Sequence, residues 1–464
     1  MATGEKVLKA TDLAYDNSLD IFEVPACNLG VSGVKYISHR PINQFSTEGN
    51  VKFRVPGTGS AYLDLQEIYV KTTVRIMKGN GEPIPKRPLQ HSPRLSPDAD
   101  EDTDVDGNED PGEWGVGPVN NLASSLWYQA EVRLNDCVVL GGRTGYAYSA
   151  MLNTLLDENS LTDGELECAM FDKDTAPYAY DVQLNGGGND GYARRAERMK
   201  ESRPVELLAR LDADVFKVQK YLINGVTLDI NLTPTSSEFR LMSGNTTFTD
   251  YVLEILDISL EVKQIIPSPQ VLVAHQEIMR EGLSRARYFY LKEDMRKFVL
   301  PKGTASYYSE DSYNGKVPST MAITFVSGES MNGKLSKNPF YLHHFDITHI
   351  NVSVSGNPTP RGPLSLNFKE GKYLQCYSDL YGGKSRGPSN NQRITLKEFG
   401  QGYAIFVINL NPQNRDTYFP ASRDGSVRIE LKFARELPES IVMLTRVSYP
   451  AMYELDYERN VYLS

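Results

Sequence analysis

One order of elements (strand, helical segment, strand, strand) occurs twice along this chain of 464 residues. Equivalent segments in the two halves are offset by about 185 to 226 residues. A repeat of this length is too long for a solenoid, so the pattern predicts two similar domains in tandem. The segments begin at Val132, Gly145, Gly225 and Ile255 in the first half, and at Val352, Gly371, Gly425 and Ser440 in the second.

Alternation of apolar and polar residues identifies the strands. In GVTLDINL, residues 225–232, and in VRIELKF, residues 427–433, every second residue is apolar. A period of two is what a sheet with one buried face requires. The 27 tyrosines suit pleated surfaces, and the 36 glycines and 26 prolines suit turns. Composition and period together predict an all-β fold.

Segments with helical spacing interrupt the strands at matching places. In residues 144–158, apolar side chains recur at i, i+3, i+4 and i+7. The segment 371–383 is a helix-like insert in the corresponding position of the second half. A third helical segment, 191–202, is strongly polar. Its basic residues are interpreted as a solvated face, with contact to an anion as the alternative; they are Arg194, Arg195, Arg198 and Lys200.

Each half contains roughly eight short strands with long excursions between them, which predicts two tandem eight-stranded jelly rolls (a double jelly roll) with short helices in the inter-strand loops. On pattern alone, other β-sandwiches remain open. The expected divisions are an N-terminal arm, a first jelly roll with an acidic surface loop at 78–117, a linker helix and a second jelly roll. Their ranges are 1–45, 46–266, 267–284 and 285–464.

Composition and charge exclude several classes of function. A net charge of −10 argues against a nucleic-acid-binding surface, which normally shows a basic face. Because no run of 18 apolar residues occurs, we expect no transmembrane segment. The first 22 residues contain no apolar core of a secretory signal, so we expect synthesis and folding in the cytosol. Four widely spaced cysteines then predict no disulfides.

Motifs of catalysis are missing from the sequence. It contains no GxSxG elbow, no P-loop lysine motif and no HExxH pair. A jelly-roll enzyme of the cupin type would need His and Glu ligands on facing strands, and the chain has six scattered histidines. We therefore expect a protein that is not an enzyme and that requires no cofactor.

One acidic segment has the spacing of a calcium loop. DTDVDGNEDPGE, residues 102–113, matches D-x-D-x-D-G-x5-E, in which alternate carboxylates bind Ca²⁺. The ligands would be Asp102, Asp104, Asp106 and Glu113. Against calcium, Glu109 stands where an apolar residue normally anchors such a loop, and Pro111 follows it. An acidic solvated loop remains the alternative.

Three histidines form the pattern HHxxxxH. If this segment is a strand, His343 and His349 lie on one face and His344 on the other. A metal site would require a third ligand of fixed geometry. We interpret the three as ordinary surface or interface histidines.

Eight segments, in order, resemble the double jelly-roll major capsid proteins (hexons) of Polinton/Maverick elements and adintoviruses. The resemblance extends from about Pro41 to Val461. The acidic excursion at 78–117 is longer than the family pattern. The segments are GTGSAYLDL from Gly57, PVNNLASSLWYQAEVRLND from Pro118, TGYAYSAMLNTLL from Thr144, FVLPKGT from Phe298, YNGKVPSTMAITFV from Tyr313, MNGKLSKNPFYLHHFDI from Met331, GYAIFVINL from Gly402 and VRIELKFARELPESI from Val427.

This resemblance implies a structural role in a virion. It implies a homotrimer whose six barrels form a pseudo-hexagonal capsomer, and capsomers that tile an icosahedral shell around double-stranded DNA. The partners would be neighbouring capsomers, penton proteins and minor capsid proteins. The alternative function is a jelly-roll minor capsid protein or a glycan-binding attachment protein, which would carry aromatic and carboxylate residues on one set of loops.

Overall fold

The computed structural model describes residues 29–463, except 45, 58, 85–114, 143, 157–160, 185–186, 246–248, 283, 360–361, 381–392 and 412–420. Within these residues, two sets of antiparallel sheets follow one another along the chain. We call them the first roll, residues 31–267, and the second roll, residues 286–463.

The first roll contains two four-stranded sheets and one small ribbon. The sheets have the orders β1-β10-β3-β7 and β2-β8-β5-β6, and β4 pairs with β9. The strands are β1 (Val31–His39), β2 (Val51–Val55), β3 (Tyr62–Lys78), β4 (Val116–Pro118), β5 (Trp127–Leu134), β6 (Cys137–Leu140), β7 (Val205–Arg210), β8 (Leu228–Pro234), β9 (Leu241–Ser243) and β10 (Tyr251–Pro267).

The second roll repeats this arrangement. Its sheets have the orders β11-β19-β13-β17 and β12-β18-β14-β15, with β20 added to β19 and β16 added to β14. The strands are β11 (Ala286–Leu300), β12 (Ser306–Lys316), β13 (Thr320–Ser327), β14 (Ile347–Val354), β15 (Asn357–Pro358), β16 (Leu364–Ser365), β17 (Ile405–Asn409), β18 (Asp424–Phe433), β19 (Ile441–Leu455) and β20 (Val461–Leu463).

The strand orders of the two rolls are equivalent. In the first roll β1 pairs with β10 and β2 with β8, and in the second roll β11 pairs with β19 and β12 with β18. Two four-stranded antiparallel sheets connected in this way form a jelly roll. The predicted all-β double jelly roll is therefore confirmed.

Short helices occupy the connections between strands. None of those described is long and apolar enough to cross a membrane. The helices are α1 (Leu122–Ser125), α2 (Tyr146–Leu156), α3 (Asp163–Cys168), α4 (Asp190–Arg198), α5 (Ser237–Arg240), α6 (Pro269–Arg280), α7 (Gly328–Met331), α8 (Leu374–Leu380) and α9 (Leu396–Phe399).

Alternating side chains fill the space between the two sheets of each roll. On β8, Leu228, Ile230 and Leu232 are buried, whereas the intervening residues are half-buried. On β18, the same alternation buries Val427, Ile429, Leu431 and Phe433. Each buried leucine or isoleucine stabilises the fold by roughly 1.5–3 kcal/mol relative to an exposed position. The period of two in the sequence therefore marks the inner faces of the sheets.

The long connections of both rolls lie at one end of the molecule, which we call the loop end. Because consecutive strands run antiparallel, the excursions between β3 and β5, β6 and β7, β13 and β14, and β16 and β17 leave the sheets in the same direction. We call the opposite end the base; it includes the two-residue turn at 135–136 and helix α6.

Several segments differ in detail from the expected divisions. Residues 31–39, placed in the arm 1–45 by the sequence, form the edge strand β1 and pair with β10. The helix expected within 267–284 spans Pro269–Arg280. Residues 1–28 and most of the acidic loop 78–117 lie outside the described residues.

Candidate functional site

A buried carboxylate connects the two rolls at mid-height. Glu293 on β11 of the second roll is only 5% exposed. Its carboxylate accepts hydrogen bonds from Lys217 Nζ at 2.8 Å and Asn153 Nδ2 at 3.0 Å, both on the first roll. Arg446 Nη2, on the adjacent strand β19, donates at 2.7 Å. Burial alone would raise the pKa of Glu293, but the charges of Arg446 and Lys217 hold that pKa well below its usual range.

A second buried cluster connects the rolls at the loop end. Asp174 of the first roll pairs with Arg195 of α4 at 2.7 Å, and both side chains are buried. From the second roll, Asn338 Nδ2 donates to Asp174 Oδ2 at 2.8 Å, and the Tyr403 hydroxyl donates to the Asp174 carbonyl at 2.9 Å. The two rolls are therefore also joined by hydrogen bonds between their excursions.

Arg195 corrects the sequence interpretation of the basic helix. Its guanidinium is fully buried, and it also donates to the Pro118 carbonyl at 3.2 Å. Arg194 and Lys200, in contrast, are exposed, and Arg198 is half-buried. The interpretation of α4 as a wholly solvated basic face is therefore wrong for Arg195, because a buried ion pair with Asp174 cannot be distinguished from a surface charge by composition alone.

The C-terminal segment joins the two rolls at the base. Arg459 Nε donates to the Asn224 carbonyl of the first roll at 2.7 Å, and Asn135 Nδ2 donates to the Arg459 carbonyl at 3.0 Å. The Tyr288 hydroxyl at the start of β11 accepts from the Ile223 amide at 3.1 Å. With the clusters at mid-height and at the loop end, these contacts make the two rolls one block.

The edges of the sheets carry exposed apolar side chains. On edge strand β1, Val34 is 50% and Tyr36 is 60% exposed. Tyr308 on edge strand β12 is 54% exposed. An edge strand also presents backbone N–H and C=O groups that can pair with another chain. These edges are the candidate surfaces for contact between copies of the protein.

A shallow pocket of about 400 Å³ at the loop end brings aromatic and carboxylate residues together. Tyr180 and Tyr341 lie edge to face with ring centroids 5.8 Å apart, and His343 stacks on Tyr341 at 5.2 Å. Glu436 and Glu439 line the same pocket. Aromatic faces beside carboxylates are the residue types that a glycan site requires, and the sequence alone did not bring these residues together.

The adjacent histidines form an aromatic stack. The His344 ring lies 3.9 Å from that of Phe368 and 4.5 Å from that of His343. Nδ1 of His344 accepts a hydrogen bond from the Asp346 amide at 2.9 Å, which requires an unprotonated nitrogen. Burial, together with the neighbouring His343, lowers the pKa of His344 to about 4.

The prediction that His343 and His349 share a strand face is wrong. Phe345 and Asp346 have φ of 46° and 51°, so the chain turns before β14 begins at Ile347. His349 lies within β14 opposite Lys432. No group of three or more metal-ligating side chains occurs within the described part of the chain. The calcium-loop residues Asp102, Asp104, Asp106 and Glu113 lie outside it.

Comparison with known proteins identifies others that share this architecture. No protein-family model matches the chain. An uncharacterized protein of Caenorhabditis elegans is 22% identical over 437 residues, which are 90% of this chain and 94% of that protein. The neighbours in structure are viral double jelly-roll major capsid proteins.

Two solved structures illustrate this likeness. A chain of the Sputnik virophage superposes with a TM-score of 0.64 at 12% identity, covering 98% of this chain and 93% of that chain. The Faustovirus major capsid protein superposes with a TM-score of 0.53 at 10% identity, covering 97% and 93%. Such neighbours are structural proteins of capsids and not enzymes. At these identities, the likeness establishes the fold.

The first prediction concerns the junction at mid-height. Glu293→Gln keeps the shape of the side chain but leaves Arg446 and Lys217 facing a neutral amide. Removing one member of a buried ion cluster costs about 3 kcal/mol. We expect a loss of this size in the free energy of unfolding, measured by urea denaturation. Glu254→Gln, which removes a partly exposed pair with Arg75, is the matched control and should cost less than about 1 kcal/mol. Equal losses in the two variants would contradict the role of Glu293.

The second prediction concerns acid sensitivity. Below the ordinary histidine pKa of 6.5, the unfolded chain takes up a proton at residue 344, whereas the folded chain does so only near pH 4. The stability contributed by neutral His344 is therefore present above pH 6.5 and is lost as the pH falls towards 4. His344→Asn keeps an acceptor for the Asp346 amide but does not titrate. The melting temperature of this variant should fall less steeply than that of the wild type between pH 6.5 and 4. If the two melting temperatures fall in parallel with pH, His344 does not contribute to acid sensitivity in this way.

Proposed function

We propose that the protein is a major capsid protein that assembles with copies of itself into the shell of a virion. The observation that carries this proposal is the pair of jelly rolls with equivalent strand order, fixed side by side by buried polar clusters. A rigid block of this kind is suited to be the repeating unit of a shell, because the contacts on its sides keep a constant geometry relative to one another. The capsid proteins among its structural neighbours support the same role.

The capsomer that we propose is a homotrimer. Three copies of a two-roll block give six barrels in a pseudo-hexagonal ring, which would pack against neighbouring capsomers, penton proteins and minor capsid proteins in an icosahedral shell around double-stranded DNA. The resemblance of the sequence to the hexons of Polinton/Maverick elements and adintoviruses supports this finer assignment. The net charge of −10 is consistent with no specific nucleic-acid binding by this chain. Synthesis would take place in the host cytoplasm.

The chemistry of such assembly is burial of the exposed apolar edges. Burying apolar surface contributes roughly 25 cal/mol per Å² before the costs of association. Val34 and Tyr36, which lie on one edge strand, present such surface beside open backbone groups. When unlike patches of successive copies are in contact, the copies form a closed ring if the rotation between them equals a full turn divided by a whole number.

The third prediction tests this assembly. Size-exclusion chromatography with light scattering should give a mass near three times 51.9 kDa, or larger shells visible by electron microscopy. Tyr36→Asp should shift the population towards monomer, because it places a charge on an apolar contact. Tyr180→Asp, which changes an equally exposed tyrosine at the loop end, is the control and should leave the mass unchanged.

A wild-type protein that remains a monomer and binds sugars would contradict this proposal. It would favour the alternative of a minor capsid or attachment protein. The pocket containing Tyr180, Tyr341 and Glu436 is the place where such a protein would bind glycans.

We also propose that the acidic loop binds Ca²⁺ through Asp102, Asp104, Asp106 and Glu113. The spacing of these carboxylates is the sole support for this site.

The fourth prediction is that calorimetric titration with Ca²⁺ releases heat that is lost in Asp104→Asn. Asp98→Asn, which removes a charge from the same loop outside the ligand pattern, should keep the heat. A wild-type protein without a calcium signal, or with a signal that Asp104→Asn leaves unchanged, would end this proposal.

A further inference from the structure

A cleft of about 730 Å³ opens between the two rolls at the loop end. It lies where the ends of β8 and β11 approach the start of β19. Its volume falls within the roughly 300–1,000 Å³ of ordinary small-ligand pockets. The residues that concern its chemistry are Tyr128, Tyr148 and Phe239 of the first roll and Lys297, Val299 and Met331 of the second.

The walls of the cleft are largely apolar. Tyr148 and Phe239 pack edge to face with ring centroids 5.8 Å apart, and both are buried. Val299, near the end of edge strand β11, also lines the cleft and is 64% exposed. This exposed valine leaves apolar surface open to water, which a ligand with an apolar body would cover.

A buried hydroxyl in this wall has no partner. The Tyr148 side chain is 3% exposed, and its hydroxyl makes no hydrogen bond to any described residue. Buried polar groups are nearly always satisfied, and an unsatisfied one costs about 1–3 kcal/mol. Less than 1 Å² of this oxygen is exposed, so a ligand would reach it only after the Tyr148 ring shifts.

The one lysine of the cleft lacks a counterion. Lys297 is half-buried, and no carboxylate of the described residues forms an ion pair with it; its Nζ lies 5.3 Å from the centre of the Tyr128 ring. Burial lowers the pKa of this ammonium group. The two glutamates that line the cleft, Glu329 and Glu439, are each paired with Lys337. An anion bound beside Lys297 would therefore meet an unneutralised cation.

Gly145 of the first roll lies next to the side chain of Lys297 in the cleft. Its φ of +88° is a left-handed conformation that glycine adopts without strain. A Cβ at this position would lie 3.2 Å from Cε of Lys297 and 3.3 Å from Sδ of Met295. The lack of a side chain at Gly145 therefore leaves room for the stem of Lys297.

We propose that this cleft binds an amphiphilic monocarboxylate of the fatty-acid class. The carboxylate would pair with Lys297, and the alkyl chain would lie between Val299 and Phe239. A peptide fits less well, because each of its buried N–H and C=O groups would need a partner. Among the polar side chains of the cleft, those of Thr235, Glu329 and Glu439 already make hydrogen bonds within the protein.

The fifth prediction uses decanoate as the probe and the full chain as the protein. Isothermal titration should give saturable binding of one decanoate per chain, and the ligand should raise the melting temperature. Lys297→Met, which keeps the length of the side chain and removes its charge, should weaken binding at least tenfold. Lys292→Met removes an exposed lysine of the same strand and should bind like the wild type.

Three results would overturn the proposal. The first is that decanoate shows no saturable binding. The second is that decanol, which lacks the carboxylate, binds as tightly as decanoate. The third is that Lys297→Met, with a melting temperature at or above that of the wild type, binds decanoate unchanged. Binding of an acidic apolar peptide in place of decanoate would count as the first result.

Discussion

The burial of Glu293 between the rolls is the constraint on which the tandem arrangement depends. A carboxylate removed from water is costly unless cations and hydrogen-bond donors surround it. Here, a lysine and an asparagine from the first roll and an arginine from the second supply them. Because the charge is satisfied only when both rolls contribute, the junction favours one relative placement of the barrels.

The sequence predicted the strands whose two faces differ, and it failed where they do not. The alternation in 225–232 and 427–433 appears directly as buried and solvent-facing residues on β8 and β18. Strand β12, SYYSEDSYNGK, shows no apolar period and was not identified, although Tyr313 within it is fully buried. Most of β11 escaped detection for a related reason. One of its buried contacts with the first roll is Glu293, a residue type that in sequence resembles a surface residue.

The functional surfaces were less predictable than the fold. The cleft between the rolls is formed by residues from distant segments, such as Tyr148 and Lys297, that only the tertiary arrangement brings together. No local pattern marks Lys297 as a lysine without a counterion. Arg195 presents the opposite case, since a helix rich in arginine contains one guanidinium that is buried and paired. A charged residue is easily recognised in a sequence. Whether it is buried and paired depends on contacts with residues far away along the chain.

The four longest connections within the rolls leave the sheets at one end, which separates variation in loop length from the parts that form the barrels. Doubling the length of a flexible loop costs only about 0.6 kcal/mol in closure entropy. Insertions at the loop end therefore leave the barrel flanks untouched, and the distal surface can diversify while the lateral joints stay constant. The excursion that begins after β3 is one such addition. The same property makes this end a natural place to graft a foreign epitope or a targeting peptide.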